Sequence, residues 1–147
     1  MFKFLLAAAL ATIVNAREAS VFIIDPLGHE PVRGTLTFTE TEHGLHIQGQ
    51  INGLVPGNHG LWVNSKGLIS EGCLHTGALF NPHNSPKPIG ELGSINADDK
   101  GLANVDVTTT ELSLEGENDI IGRTLFVNCP TAPGGGRTAC GVIGIVD

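Results

Sequence analysis

The chain has 147 residues, which is enough for one domain and too few for two domains of ordinary size. Its formal net charge is −7, and such an acidic surface argues against binding to nucleic acid or to an anionic membrane. Gly (20 residues) and Pro (8 residues) recur between runs rich in Val, Ile and Thr, a pattern typical of an all-β sandwich or barrel.

The N-terminal stretch "MFKFLLAAALATIVNA" combines a Lys at position 3, an apolar run and a small-residue cleavage pattern that ends at Ala16. The run is shorter than the ~20 apolar residues that a membrane-spanning helix needs. We therefore predict a signal peptide over residues 1–16 and a mature domain over residues 17–147. The mature chain would be secreted, extracellular and more acidic, because cleavage removes Lys3.

The apolar pattern predicts strands in chain order, separated by Gly, Pro and Asn. In residues 33–41, for example, Leu36 and Phe38 alternate with Thr35, Thr37 and Thr39. Between residues 65 and 92 the chain is irregular, and long loops within small domains are commonly functional. The predicted strands are 19–25, 33–41, 44–51, 59–64, 101–107, 120–127 and 138–146, with a short or edge strand at 111–116.

The mature chain holds three cysteines, Cys73, Cys129 and Cys140. An extracellular compartment favours disulfide formation, and an odd count predicts one pair with a free thiol, or a bridge between chains. The count alone does not choose the pair.

Several segments together resemble the copper/zinc superoxide dismutases: "GCLHTGALFNP" (72–82), "GELGSINADDKGLANVDV" (90–107), "DIIGRTLFVN" (119–128) and "RTACGVIGI" (137–145). The resemblance implies an eight-stranded Greek-key β-sandwich, or flattened barrel, with two long loops. It also implies a disulfide between Cys73 and Cys140, with Cys129 as the free thiol. Arg137 corresponds to the family's substrate-guiding Arg, and an alternative interpretation is that Arg137 braces the disulfide loop.

The same resemblance places other residues at the family's metal-binding positions. Trp62 and Asn64 stand where two copper-binding histidines are expected, Leu79 where a His bridges the metals, and Asn128 where the last copper His is expected. An indole nitrogen only donates hydrogen bonds and Leu offers no donor atom to a metal, so this set is unsuited to copper. We therefore expect no cofactor and a protein that is not an enzyme.

An inactive, secreted relative would act by binding proteins or as a structural extracellular component. The family's dimer interface corresponds here to Ile120, Ile121, Gly122, Ile143 and Ile145. These apolar residues make a homodimer plausible, or a heterodimer with an active dismutase-family protein. The alternative function is a metal-binding protein or weak metalloenzyme that uses His75, His83 and Glu91, because two His and a carboxylate can hold zinc.

Overall fold

The computed structural model describes residues 17–128 and 139–146. The predicted signal peptide lies outside the described residues, as do Cys129 and Arg137. Within the described ranges, no helix is long and apolar enough to cross a membrane.

The described residues form nine antiparallel strands. They are β1 (Glu18–Ile24), β2 (Arg33–Thr41), β3 (Gly44–Asn52), β4 (Gly57–Asn64), β5 (Glu91–Ala97), β6 (Ala103–Thr109), β7 (Thr124–Val127), β8 (Ala139–Val142) and β9 (Gly144–Val146). The first eight close into a barrel in the order β1-β2-β3-β6-β5-β4-β7-β8, and β8 pairs back to β1. β9 adds a short pairing to β1, where Ile145 faces Ala19.

The connections give the barrel its Greek-key character. β3 pairs with β6 rather than with β4, so the chain crosses from one side of the barrel to the other after residue 52. This arrangement confirms the all-β class that the sequence pattern predicts and the eight-stranded Greek-key barrel that the resemblance implies.

The core follows from side-chain alternation on the strands. Leu36 and Phe38 on β2 and Ile47 on β3 are fully buried. Thr35, which directly precedes Leu36 on β2, is exposed. Successive residues of a strand point to opposite faces, so one face of each strand supplies the barrel interior. Burial of each such side chain stabilises the fold by roughly 1.5–3 kcal/mol.

Three details differ from the predicted strands. β5 was not predicted, because in "ELGSINA" only Ile95 and Ala97 are buried and the preceding residues carry no apolar alternation. β7 begins only at Thr124, because a turn closed by the Arg123 N–H and the Ile120 carbonyl precedes it. The predicted strand 138–146 is interrupted at Ile143 and forms β8 and β9.

Residues 111–116 are not a strand. Leu112 and Leu114 are buried in the core, but their backbone is held by turns and by side chains. The Glu40 carboxylate accepts a hydrogen bond from the Leu114 N–H at 3.1 Å, and the Ser113 N–H donates to the Asn118 carbonyl at 3.0 Å. Alternating apolar residues therefore reach the core here without ladder pairing.

A disulfide joins Cys73 in the long loop to Cys140 on β8, with a Cα–Cα distance of 6.0 Å and a sequence separation of 67. This confirms the pairing that the resemblance implies. The bridge ties an irregular segment to a barrel strand.

Replacing both cysteines, as Cys73→Ala with Cys140→Ala, is expected to lower the free energy of unfolding by about 4 kcal/mol, because the unfolded chain regains the entropy of an open loop. Urea unfolding followed by circular dichroism measures the change. A loss below about 1 kcal/mol would show that other contacts hold the loop equally well.

Candidate functional site

The site predicted from the sequence lies at a pocket of about 430 Å³ between the end of β4, the start of β5 and the long loop. Its lining residues are Trp62, Asn64, Gly77, Leu79 and Glu91. Three of the four positions that the resemblance assigns to copper ligands therefore border one pocket. The fourth, Asn128, is half-buried just after β7.

The position of the Trp62 ring depends on one neighbour on β7 and on one neighbour on its own strand, β4. On β7 its cross-strand partner is Phe126, and the two rings stack with centroids 5.3 Å apart and planes inclined by 16°. On β4 itself, Gly60 lies two residues earlier on the same face, and a Cβ there would overlap the Trp62 ring at Cζ3. The missing side chain at Gly60 thus gives the half-buried indole its space.

Asn64 is part of a buried hydrogen-bond chain. Its side chain is 5% exposed, and its Nδ2 donates to Thr76 Oγ1 at 2.7 Å. The Thr76 hydroxyl in turn donates to the Cys73 carbonyl at 3.2 Å. The amide is therefore engaged in fastening the disulfide loop to the end of β4, a role that an amide performs well.

His59 fastens the neighbouring end of the barrel. It is 2% exposed, and its Nδ1 lies 2.8 Å from the Asn128 carbonyl oxygen while its Nε2 lies 2.6 Å from the Val55 carbonyl oxygen. The ring thus connects the residue after β7 to the loop before β4. It is a structural link between backbone segments.

Arg123 is a residue that the sequence analysis missed. Its Nε donates to the Asp119 carbonyl at 2.9 Å, one terminal nitrogen donates to the Ser65 carbonyl at 2.8 Å, and its guanidinium lies 4.1 Å from the centre of the Phe80 ring. In the part of the chain that the structure describes, Arg123 performs the loop bracing that was considered for Arg137. The available signal was a lone Arg in an otherwise apolar segment, since five fixed donors suit several carbonyls.

The alternative metal site is not assembled. His75 Nε2 lies 3.4 Å from the Glu71 carboxylate, and His83 Nε2 lies 2.8 Å from the Asn118 side-chain oxygen, both at exposed positions. Glu91 instead lines the pocket beside Trp62. Across residues 17–128 and 139–146, no three His, Cys, Asp or Glu side chains are grouped to hold a metal ion.

The donor set at the pocket does not fit copper or zinc. An indole N–H and an apolar Leu side chain have no lone pair for a metal, and the Asn64 amide is committed to Thr76. Glu91 is the pocket's only carboxylate among the lining residues, and one exposed carboxylate does not make a zinc site.

Comparison with known proteins decides the family. The family model described as copper/zinc superoxide dismutase matches residues 32–143. This chain belongs to the copper/zinc superoxide dismutase family.

Individual relatives cover most of the chain. It is 33% identical to an extracellular copper/zinc superoxide dismutase of Drosophila melanogaster, over 94% of each protein. It is 33% identical to the extracellular enzyme of Brugia pahangi, over 78% of this chain and 70% of the relative. A copper/zinc superoxide dismutase of Xenopus laevis, designated A, is 37% identical over 80% of this chain and 92% of the relative.

The expectation that this protein is not an enzyme is wrong. The relatives that match the chain are named superoxide dismutases, so the family to which it belongs is an enzyme family. That expectation was drawn from the side chains at four positions. The identity of four residues describes the side chains at the positions that the resemblance assigns to copper ligands, and it does not assign the whole chain to a class of proteins without activity.

The predicted interface residues divide into two groups. Ile120 is fully buried and Ile143 is 1% exposed, so both side chains belong to the core of the protomer and offer no surface to a partner. Gly122 and Ile145 are exposed, and Ile121 is partly buried. An apolar residue in a short segment can face either the barrel interior or solvent, and the side chains of Ile120 and Ile143 face the interior.

Asn64→Ala is expected to lower the free energy of unfolding by about 1–2 kcal/mol, because it removes a buried hydrogen bond and leaves the Thr76 hydroxyl with one partner fewer. Thermal and urea unfolding measure the change. Asn104→Ala is the matched control, since Asn104 accepts a hydrogen bond from Gln50 at an exposed position. Equal losses in both variants would contradict a fastening role for Asn64.

Proposed function

We propose that this chain is a secreted member of the copper/zinc superoxide dismutase family that acts by protein binding, and that its first partner is a second copy of itself. The observation that carries the proposal is an apolar surface, here called the glycine–valine face. It consists of Gly67, Leu68, Gly122 and Val142, and the exposed Ile145 follows three residues after Val142 in sequence.

The glycine–valine face brings three segments together. A Cβ at Gly67 would overlap the Gly122 carbonyl oxygen and lie 3.5 Å from a Val142 methyl group, so the loop, the turn before β7 and β8 meet there. Leu68 is 53% exposed, Val142 37% and Ile145 46%. Because the two glycines have no side chain to project from the surface, another backbone can approach closely there.

An exposed apolar surface of this kind supports an interaction with another protein. Single exposed apolar residues are ordinary, but neighbouring ones on adjoining segments mark interaction sites. The glycine–valine face itself carries no charged side chain, so two copies of this acidic chain can meet there without placing like charges in direct opposition. A homodimer contact uses the same surface twice and needs only self-complementarity.

Secretion is supported by two independent observations. Two of the relatives are named extracellular superoxide dismutases. The N-terminal sixteen residues have the composition of a signal peptide, with an apolar run too short to span a bilayer.

Secretion is tested by expressing the full chain in eukaryotic cells and measuring the intact mass of the protein in the medium. We expect a mature N-terminus at Arg17. Recovery of the full chain inside the cells, with none in the medium, would overturn the proposal.

The dimer is tested by Val142→Glu, which is expected to convert a dimer into a monomer because two buried carboxylates would face one another across the contact. Sedimentation of the purified mature protein at micromolar concentration measures the state. Val55→Glu is the matched control, since Val55 is 44% exposed and lies outside the glycine–valine face.

Three results are informative. A wild-type dimer that only Val142→Glu dissociates supports the proposal. A wild-type monomer that becomes a mixed dimer with an active family member assigns the face to a heterodimer instead. A strict monomer under both conditions would point to a structural extracellular component without a partner.

A further inference from the structure

We propose that the pocket beside Trp62 binds a small organic ammonium ion, which would lie against the indole ring and pair with the Glu91 carboxylate. This site is separate from the glycine–valine face, so it goes beyond the dimer proposed above and can hold or fail independently of it.

The aromatic part of the pocket is packed against its neighbours. Trp62 is stacked on Phe126, and Gly60 leaves the space that the Trp62 ring occupies. The indole is nevertheless only half-buried, and the unburied part borders the pocket. Trp offers the strongest aromatic attraction to a cation, and a ring that is already ordered loses little entropy on binding.

The carboxylate lies on the adjacent strand. Glu91 is the cross-strand partner of Trp62, next to a bulge at residues 61 and 62, and it lines the same pocket. Side chains of directly paired residues are roughly 5 Å apart at Cβ, so one cation can contact both. Among the described residues, no hydrogen bond or ion pair engages the Glu91 carboxylate.

The remaining walls define the class of ligand. Leu79 is apolar, Gly77 contributes no side chain, and the Asn64 amide is occupied by Thr76. A volume of about 430 Å³ is within the range of small-molecule sites. An aromatic ring, an apolar wall and one carboxylate favour a cation with an apolar body over a bare metal ion or an anion.

Among the described residues, the Lys66 side chain lies beside the pocket at Gly77. Its Cγ and Cδ lie 3.1 and 3.3 Å from the position that a Cβ would take at Gly77. Its exposed side chain can turn its ammonium group towards solvent, but its charge opposes a second cation in the pocket. The two charges therefore have opposite expected effects on the affinity for an ammonium ion. Removing the Glu91 charge weakens binding, and removing the Lys66 charge strengthens it.

The experiment is a titration of the purified mature protein with choline, followed by the fluorescence of Trp62. Trp62 is the only Trp in the chain, so a change in emission reports on this pocket alone. The uncharged carbon isostere of choline, in which a tert-butyl group replaces the trimethylammonium group, is the ligand control. We expect a saturable change with choline and a much weaker one with the isostere.

Variants separate the contributions of charge and ring. Glu91→Gln is expected to weaken choline binding about fivefold, and Lys66→Gln to strengthen it by up to about threefold, as is typical of exposed charges. Glu111→Gln removes an exposed carboxylate outside the pocket lining and should leave the affinity unchanged. Trp62→Leu, measured by calorimetry, should weaken binding about fivefold or more.

The proposal is overturned if choline produces no saturable change, if the isostere binds as tightly as choline, or if Glu91→Gln and Glu111→Gln have the same effect. Circular dichroism and the unfolding midpoint of each variant show whether the fold is intact. If Trp62→Leu does not fold, the choline–isostere difference and the opposite effects of Glu91→Gln and Lys66→Gln decide the outcome on the folded proteins.

Discussion

The attachment of the long irregular segment to the barrel is the constraint on which the rest of the structure depends. Residues 65–90 form no strand of the barrel. Backbone hydrogen bonds such as that from the Phe80 N–H to the Val63 carbonyl hold part of this segment, and side chains add further attachments. The Cys73–Cys140 bridge joins the segment to β8, the Asn64 amide reaches Thr76, and the Arg123 guanidinium holds the Ser65 carbonyl. Both the pocket and the glycine–valine face include residues of this segment.

The pocket lies where the end of β4 meets the start of β5 and the long loop. Trp62 stacks on Phe126, and the Asn64 amide donates a hydrogen bond to Thr76. Both side chains at the end of β4 therefore have partners within the protein, and neither partner is an imidazole. Large aromatic side chains fill volume, and a satisfied amide avoids the cost of an unpaired polar group. The chain belongs to an enzyme family, and the fold alone does not assign the chemistry of this particular pocket.

The alternation of apolar residues predicted those strands whose interior face is apolar throughout. It did not predict a strand that forms because a neighbouring strand pairs with it. β2 and β3 alternate clearly, whereas β5 is a strand because β4 pairs with it along its length. Leu112 and Leu114 alternate as in a strand, yet turns and the Glu40 carboxylate hold them. The sequence pattern shows which residues are apolar, whereas the formation of a hydrogen-bonded ladder depends on which strand lies next to the segment.

The sequence by itself determined the all-β class and, through resemblance, the Cys73–Cys140 pairing and the residues that border the pocket. Only the tertiary structure decided that Ile120 and Ile143 face the core while Val142 and Leu68 face solvent, and that Arg123 braces the loop. It also separated His75 and His83 from Glu91 by giving them other neighbours. The reason is physical: composition and spacing act along the chain, whereas burial, hydrogen-bond partners and shared pockets arise between segments far apart in sequence.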